Sequence, residues 1–195
     1  KARMKQAKLF GVKRTDLGKG AAGRMRKEGI IPCMITRREE NINFSAFIND
    51  FDAIVFTPDT FLVTVTVDGT SYKTLIQEVQ FNPLSDEVMH VDFLEVHDDA
   101  PVTCELPISI TGNSPGVQAG GKLVSKMRRL KVRGMVNNLP DSIPVEITGL
   151  ELGRSVKVKD VEFEGVEILN SPALPIATVD IPRALKGKKT ADEEE

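Results

Sequence analysis

Apolar and polar positions alternate with a period of two along most of this chain, which predicts a mainly β protein. The cleanest stretch is Phe61-Leu62-Val63-Thr64-Val65-Thr66-Val67, with valine at every second position. Asp68-Gly69 follows it directly, a dipeptide suited to a tight hairpin, and residues 72–80 return as the partner strand. Residues 6–14 alternate loosely and predict a first strand. Residues 30–35 predict another, bounded by Gly29 and by the charged run after Thr36, with Pro32 near its beginning. Residues 90–96 predict one more. Between the first two strands, Gly18-Lys19-Gly20-Ala21-Ala22-Gly23-Arg24-Met25-Arg26-Lys27-Glu28-Gly29 reads as a short helix with a cationic last turn and a glycine stop. Ser45 as a cap, with Phe47, Ile48 and Phe51 at helical spacing, predicts a second. Four or five strands and these helices make a small β-barrel.

The pattern changes after Val96. His97-Asp98-Asp99-Ala100-Pro101 is polar and turn-like, which suits a domain boundary. Beyond it residues 102–110, 123–132, 143–148, 155–158 and 175–179 predict strands punctuated by Gly and Pro. The expected fold is therefore mainly β: an N-terminal small barrel with two or three short helices over 1–96, then a C-terminal all-β domain over 97–182. Residues 183–195 are too polar to bury anything and predict a disordered charged tail.

Charge changes the picture. Residues 1–38 hold 12 Lys and Arg against Asp16 and Glu28, while the rest of the chain holds 14 basic against 26 acidic groups. The net charge of −2 therefore hides a strongly basic N-terminal surface. Polyanions suit such a surface, because each cation that meets a phosphate releases condensed counterions. A solvated basic arm is the plainer alternative. With no Trp, one Tyr and nine Phe, base stacking on aromatic rings is a poor fit. No apolar run is long enough for a membrane span, and the N-terminus lacks an apolar signal core. Cys33 and Cys104 lie far apart and outside any ligand spacing, which argues for a reducing, cytoplasmic setting.

Catalysis finds little support. Neither histidine lies in a nucleophile or metal signature. Gly112-Asn113-Ser114-Pro115-Gly116 loosely resembles a nucleophile elbow, but its spacing is wrong and a proline follows the serine, so a turn is expected. A hydrolase built on His90 and Asp92 would have no nucleophile. Gly18-Lys19-Gly20 lacks a Walker pattern; basic glycine-rich backbone approaching phosphate is one reading and a plain loop the other. His90 and Asp92 share one face of their strand, which makes them either paired ligand contacts or a solvated pair. Gln77 and Gln80 sit at odd spacing, so a joint role needs a bulge, or a strand end at Val79-Gln80. No metal, cofactor or small-molecule substrate is called for.

Several motifs appear in a familiar order. Gly18-Lys19-Gly20-Ala21-Ala22 with Arg24, Arg26, Gly29 and Pro32, then Gln77-x-x-Gln80 and His90-Val91-Asp92-Phe93, resemble the bacterial large-subunit ribosomal protein number twenty-five, which binds 5S rRNA. Gly112-x-x-x-Gly116-Val117-x-x-Gly120-Gly121, Leu139-Pro140 with Ile143-Pro144, and Leu150-Glu151-x-Gly153 resemble its long, Ctc general-stress form. The resemblance covers residues 5–182. It implies a structural ribosomal protein in the cytoplasm whose N-terminal barrel sits on an internal-loop helix of 5S rRNA. By position, Arg14, Lys19, Arg24 and Arg26 would meet the RNA backbone, and Gln77, Gln80, His90 and Asp92 its widened minor groove.

Two positions depart from the family pattern. Gly23 stands where a basic residue is usual, and Thr36 where a tyrosine is common; Lys27 and Arg37-Arg38 offer charge nearby. Neighbouring large-subunit proteins or 23S rRNA are further partners, and the summed acidity of the second domain favours protein or solvent there. The rival reading is a stress-related protein-interaction module whose active surface is that C-terminal β domain.

Overall fold

The alternating valines of β4 (Phe61–Val67) point inward and line a closed six-stranded barrel. The computed structural model describes residues 4–38, 40–163 and 165–182. The other barrel strands are β1 (Lys5–Lys13), β2 (Ile30–Thr36), β3 (Ile42–Phe47), β5 (Thr70–Phe81) and β6 (Val88–Glu95). They run in the order β1-β3-β2-β6-β5-β4, and β4 closes back on β1. Asp68 and Gly69 take φ of 48° and 86°, the positive values that a two-residue type I′ hairpin turn requires.

Strand β1 is shared between two neighbours. Residues 5–11 pair in parallel with β4, whereas Val12 and Lys13 pair antiparallel with β3. Gly11 stands at this handover, and a Cβ there would lie 2.3 Å from the Phe44 ring. The bare backbone leaves Phe44 room to pack, fully buried, with its ring centroid 5.7 Å from that of Phe93. Burying each ring contributes about 1.5–3 kcal/mol.

Helix α1 (Lys19–Lys27) packs against β2. Just past its end, the Gly29 carbonyl accepts from Ile48 N–H at 2.9 Å. A 3₁₀ turn (Ile48–Phe51) then leads into α2 (Asp52–Val55). The expected helix beginning at Ser45 is thus corrected. Ser45 lies within β3, paired with Val12 and Pro32, because β3 is needed to bridge β1 and β2; only its continuation from Ile48 is helical.

The chain forms two compact units, one running up to Glu105 with Gly134–Asp141 added, the other comprising Leu106–Arg133 and the chain from Ser142 onward. Beyond the barrel come β7 (Pro101–Thr111), α3 (Pro115–Gln118), β8 (Lys122–Ser125), β9 (Arg129–Met135) and β10 (Ile143–Glu146). They are followed by β11 (Ser155–Lys157), β12 (Val166–Ile168) and β13 (Pro175–Asp180). One sheet has the order β10-β7-β9-β12 and the other β11-β13-β8. The single strand expected over 123–132 is therefore two strands that belong to different sheets. Strand β12, only three residues long, carries too little pattern to announce itself. The charged tail at 183–195 lies outside the described residues.

The stretch resembling a nucleophile elbow is a helix start. The Ser114 hydroxyl accepts from Val117 N–H at 3.4 Å and donates to the Leu150 carbonyl, and the residue is buried. It is a cap, with no access to a substrate.

Candidate nucleic-acid interface

Strand alternation sends Val91 and Phe93 into the barrel core and turns His90 and Asp92 outward, where they are partly covered. Across the ladder His90 lies opposite Gln80, and Asp92 opposite Glu78. The register slips between Ile76 and Glu78, leaving Gln77 as an extra residue in a bulge. Gln77, Glu78 and Gln80 are consequently all exposed, while Ile76 and Val79 pack toward the core. The register shifts a second time between Gln80 and Phe81, one residue past the expected Val79-Gln80, and β5 continues to Phe81 rather than ending there. Both glutamines still reach the face that carries His90 and Asp92.

One row crosses this outer face as Asn43, Met34, Asp92 and Glu78, following the pairings of β3, β2, β6 and β5. Arg14 joins its edge, since its N–H donates to the Asn43 carbonyl at 2.9 Å. Arg14 Nη2 donates to the Asp16 carbonyl at 3.1 Å, and the Asp16 carboxylate lies 3.6 Å from Arg24 Nη2. That ion pair is exposed and weak, so Arg24 can exchange it for a phosphate. Arg26 reaches from α1 to β6, where its Nε donates to the Met89 carbonyl at 2.9 Å. Lys19, the first residue of α1, is exposed, and no side chain caps the helix N-terminus.

The polar atoms of this face are incompletely satisfied. His90 Nδ1 and Asp92 Oδ1 approach to 3.3 Å but are misaligned for a hydrogen bond. Among the described residues, the buried side-chain nitrogen and oxygen atoms without a hydrogen-bond partner are Arg14 Nε, His90 Nδ1 and Asp92 Oδ1.

Thr36 ends β2, and the arginine after it is engaged. Arg37 Nε donates to Glu95 Oε2 at 2.7 Å, and its guanidinium lies 5.2 Å from the Tyr72 ring centroid. Its charge serves the barrel wall. Burial pushes the Cys33 thiol well above its ordinary range and Cys104 up to about 11, so neither supplies a thiolate near neutral pH.

Sequence reasoning missed Asp16, the Met89 carbonyl and Glu78. Plain alternation from Gln80 already puts Glu78 on the same face, so that signal was local, whereas the Arg26–Met89 bond spans 63 positions with no local signal.

Comparison with known proteins bears on the family of the chain. The sequence model described as the Ribosomal L25p family matches residues 9–93, and that described as Ribosomal protein TL5, C-terminal domain, matches residues 101–183. A Porphyromonas gingivalis protein named large ribosomal subunit protein bL25 is 37% identical over 186 residues, covering 94% of this chain and 97% of its own. Proteins of the same name from Azobacteroides pseudotrichonymphae and Cytophaga hutchinsonii are each 38% identical, covering 94% and 96% of this chain and 97% and 98% of their own. With both halves matched in order, the chain belongs to the Ribosomal L25p family, as a non-enzymatic protein of the large ribosomal subunit in the cytoplasm.

Proposed function

We propose that the outer face of β5 and β6 binds 5S rRNA along an internal-loop helix, with residues 1–96 as the RNA-binding domain and 97–182 as an appended β domain. The observation that carries this reading is the coincidence of Arg14 Nε, His90 Nδ1 and Asp92 Oδ1 as buried, unpartnered atoms around one face. Each unmade hydrogen bond costs about 1–3 kcal/mol, and folded proteins hold few of them. A ligand rich in donors and acceptors would satisfy them once these side chains turn to expose the covered atoms.

Polarity on the face suits RNA. Regular A-form helices hide base edges in a deep, narrow major groove, so a barrel wall needs a distorted helix with an accessible minor groove. Gln77 and Gln80 both donate and accept there, and the Asp92 carboxylate accepts from 2′-hydroxyls or exocyclic amines. Arg14, Lys19, Arg24 and Arg26 set the register on the phosphates. These four cations should contribute between about −2.8 and −3.6 to the slope of log affinity against log salt. Titration of the full chain with 5S rRNA, a plain RNA duplex and tRNA tests the reading. Clear preference for 5S rRNA is expected, and equal binding to all three would refute it.

Gly23 offers a gain-of-function test. No heavy atom outside the helix backbone comes within 4 Å of where its Cβ would stand, so a side chain fits. Gly23→Arg should stabilise α1 by about 1 kcal/mol, seen in thermal unfolding. It should also steepen the salt dependence on 5S rRNA by about 0.7–0.9. An unaltered slope would mean that this side of α1 meets no phosphate.

A further inference from the structure

Between Glu105 and Asp141 the sequence holds no acidic residue and six basic ones: Lys122, Lys126, Arg128, Arg129, Lys131 and Arg133. All six are exposed. Three of them lie on β9, where burial alternates strictly: Leu130 and Val132 are fully buried, while Arg129, Lys131 and Arg133 face solvent. Lys126 and Arg128 are exposed in the connection between β8 and β9. Among the described residues none of the six is ion-paired. Glu105 on β7, Glu167 on β12 and Glu146 on β10 are exposed positions of the same sheet, but none comes within ion-pair distance of the row, and the Glu146 carboxylate accepts from the Thr148 hydroxyl. The acids of this half of the chain lie on either side of the stretch, at Asp98, Asp99 and Glu105 and again from Asp141 onward. Summation conceals a positive strip.

From this row we infer that the second unit carries its own RNA-binding surface, which grips the sugar–phosphate backbone of double-helical RNA without reading its sequence. Side chains two apart on a strand stand about 6.4–6.8 Å apart, comparable with the separation of successive phosphates along one nucleic-acid strand. Arginine forks match phosphate oxygens bidentately, and lysine adds a point charge. The row itself offers no amide, imidazole or aromatic ring for base edges, so its contacts position without specifying. Like charges on one strand face repel, and a polyanion relieves that repulsion. An acidic protein would have to hold carboxylates at the same repeat, whereas nucleic acid carries that repeat in its covalent structure.

The inference stands apart from the barrel's role. Its test is titration of the full chain with a 20-base-pair RNA duplex over a range of salt (about two A-form turns, long enough to span the row). Arg129→Gln with Lys131→Gln and Arg133→Gln should weaken duplex binding and flatten the log–log salt slope by about 2–3. Arg129→Lys with Arg133→Lys, which keeps the charge, should retain the slope. These positions are exposed, so both variants should melt as the parent does. An unchanged slope in the glutamine variant overturns the inference. So does an equal loss in the lysine variant, or duplex binding lost only through Arg26→Ala in the barrel. Tighter binding of poly-glutamate than of the duplex would assign the surface to an acidic protein and overturn it too.

Discussion

Replacing Arg26 by alanine is expected to weaken binding of the chain to 5S rRNA by tenfold or more, a loss of about 1.4 kcal/mol. Two separate losses produce it. The guanidinium Nε is committed to the Met89 carbonyl at 2.9 Å, which fixes the side chain between α1 and β6. Arginine carries five N–H donors, so the Nη groups remain available for a phosphate beside His90. Alanine removes the phosphate contact and unpins the end of the helix. Arg26→Lys separates these effects, because an ammonium keeps the charge but cannot serve both partners from a rigid fork. The lysine variant should recover the salt slope while remaining weaker than the parent. Filter binding at several salt concentrations measures both quantities. Parent-like affinity in the alanine variant would remove Arg26 from the interface.

The second large effect concerns discrimination. His90→Ala should reduce the preference for the internal-loop helix over a plain duplex by about ten- to hundredfold, the equivalent of a hydrogen bond worth about 1.5–3 kcal/mol. Asp92→Asn should lose preference as well, since an amide presents a donor where a carboxylate only accepts. Folding stability should respond differently. His90 Nδ1 and Asp92 Oδ1 are buried without a hydrogen bond in the unbound chain, and their 3.3 Å contact is misaligned, so removing one of them should change stability little. Falling discrimination with an unshifted urea midpoint is the expected pair of results. Equal loss of affinity for both RNAs would deny the pair a readout role.

Much of the barrel could be read from the residues alone. The valine alternation of β4, the Asp68-Gly69 turn and the Val91/Phe93 alternation of β6 are local signals with one dominant period. Strand β3 was hidden because Phe47, Ile48 and Phe51 also fit a helical spacing. What decides against the helix is remote: β3 must satisfy the edges of both β1 and β2. The split of 123–132 into β8 and β9 failed for a similar reason, since the two strands join different sheets. Propensity within a window carries no information about partners.

The candidate interface divides along the same line. His90 and Asp92 share a face because strand alternation places i and i+2 together, and the residues alone showed this. Gln77 joined them only through the bulge before Glu78. The Arg26–Met89 and Arg14–Asp16–Arg24 contacts depend on closure of the barrel and on the loop after β1. The cationic row of β9 had a plain local signal, six basic residues with no acid between Glu105 and Asp141, but summing charge over the whole second half erased it.

A density map of a large ribosomal subunit containing this chain tests the proposed interface most directly. Arg14, Arg26, Gln80, His90 and Asp92 should lie against 5S rRNA, with the Asp92 carboxylate within hydrogen-bond distance of a ribose hydroxyl or a base amine. A map in which that face of β5 and β6 looks onto solvent, with Arg26 touching no nucleotide, would contradict it.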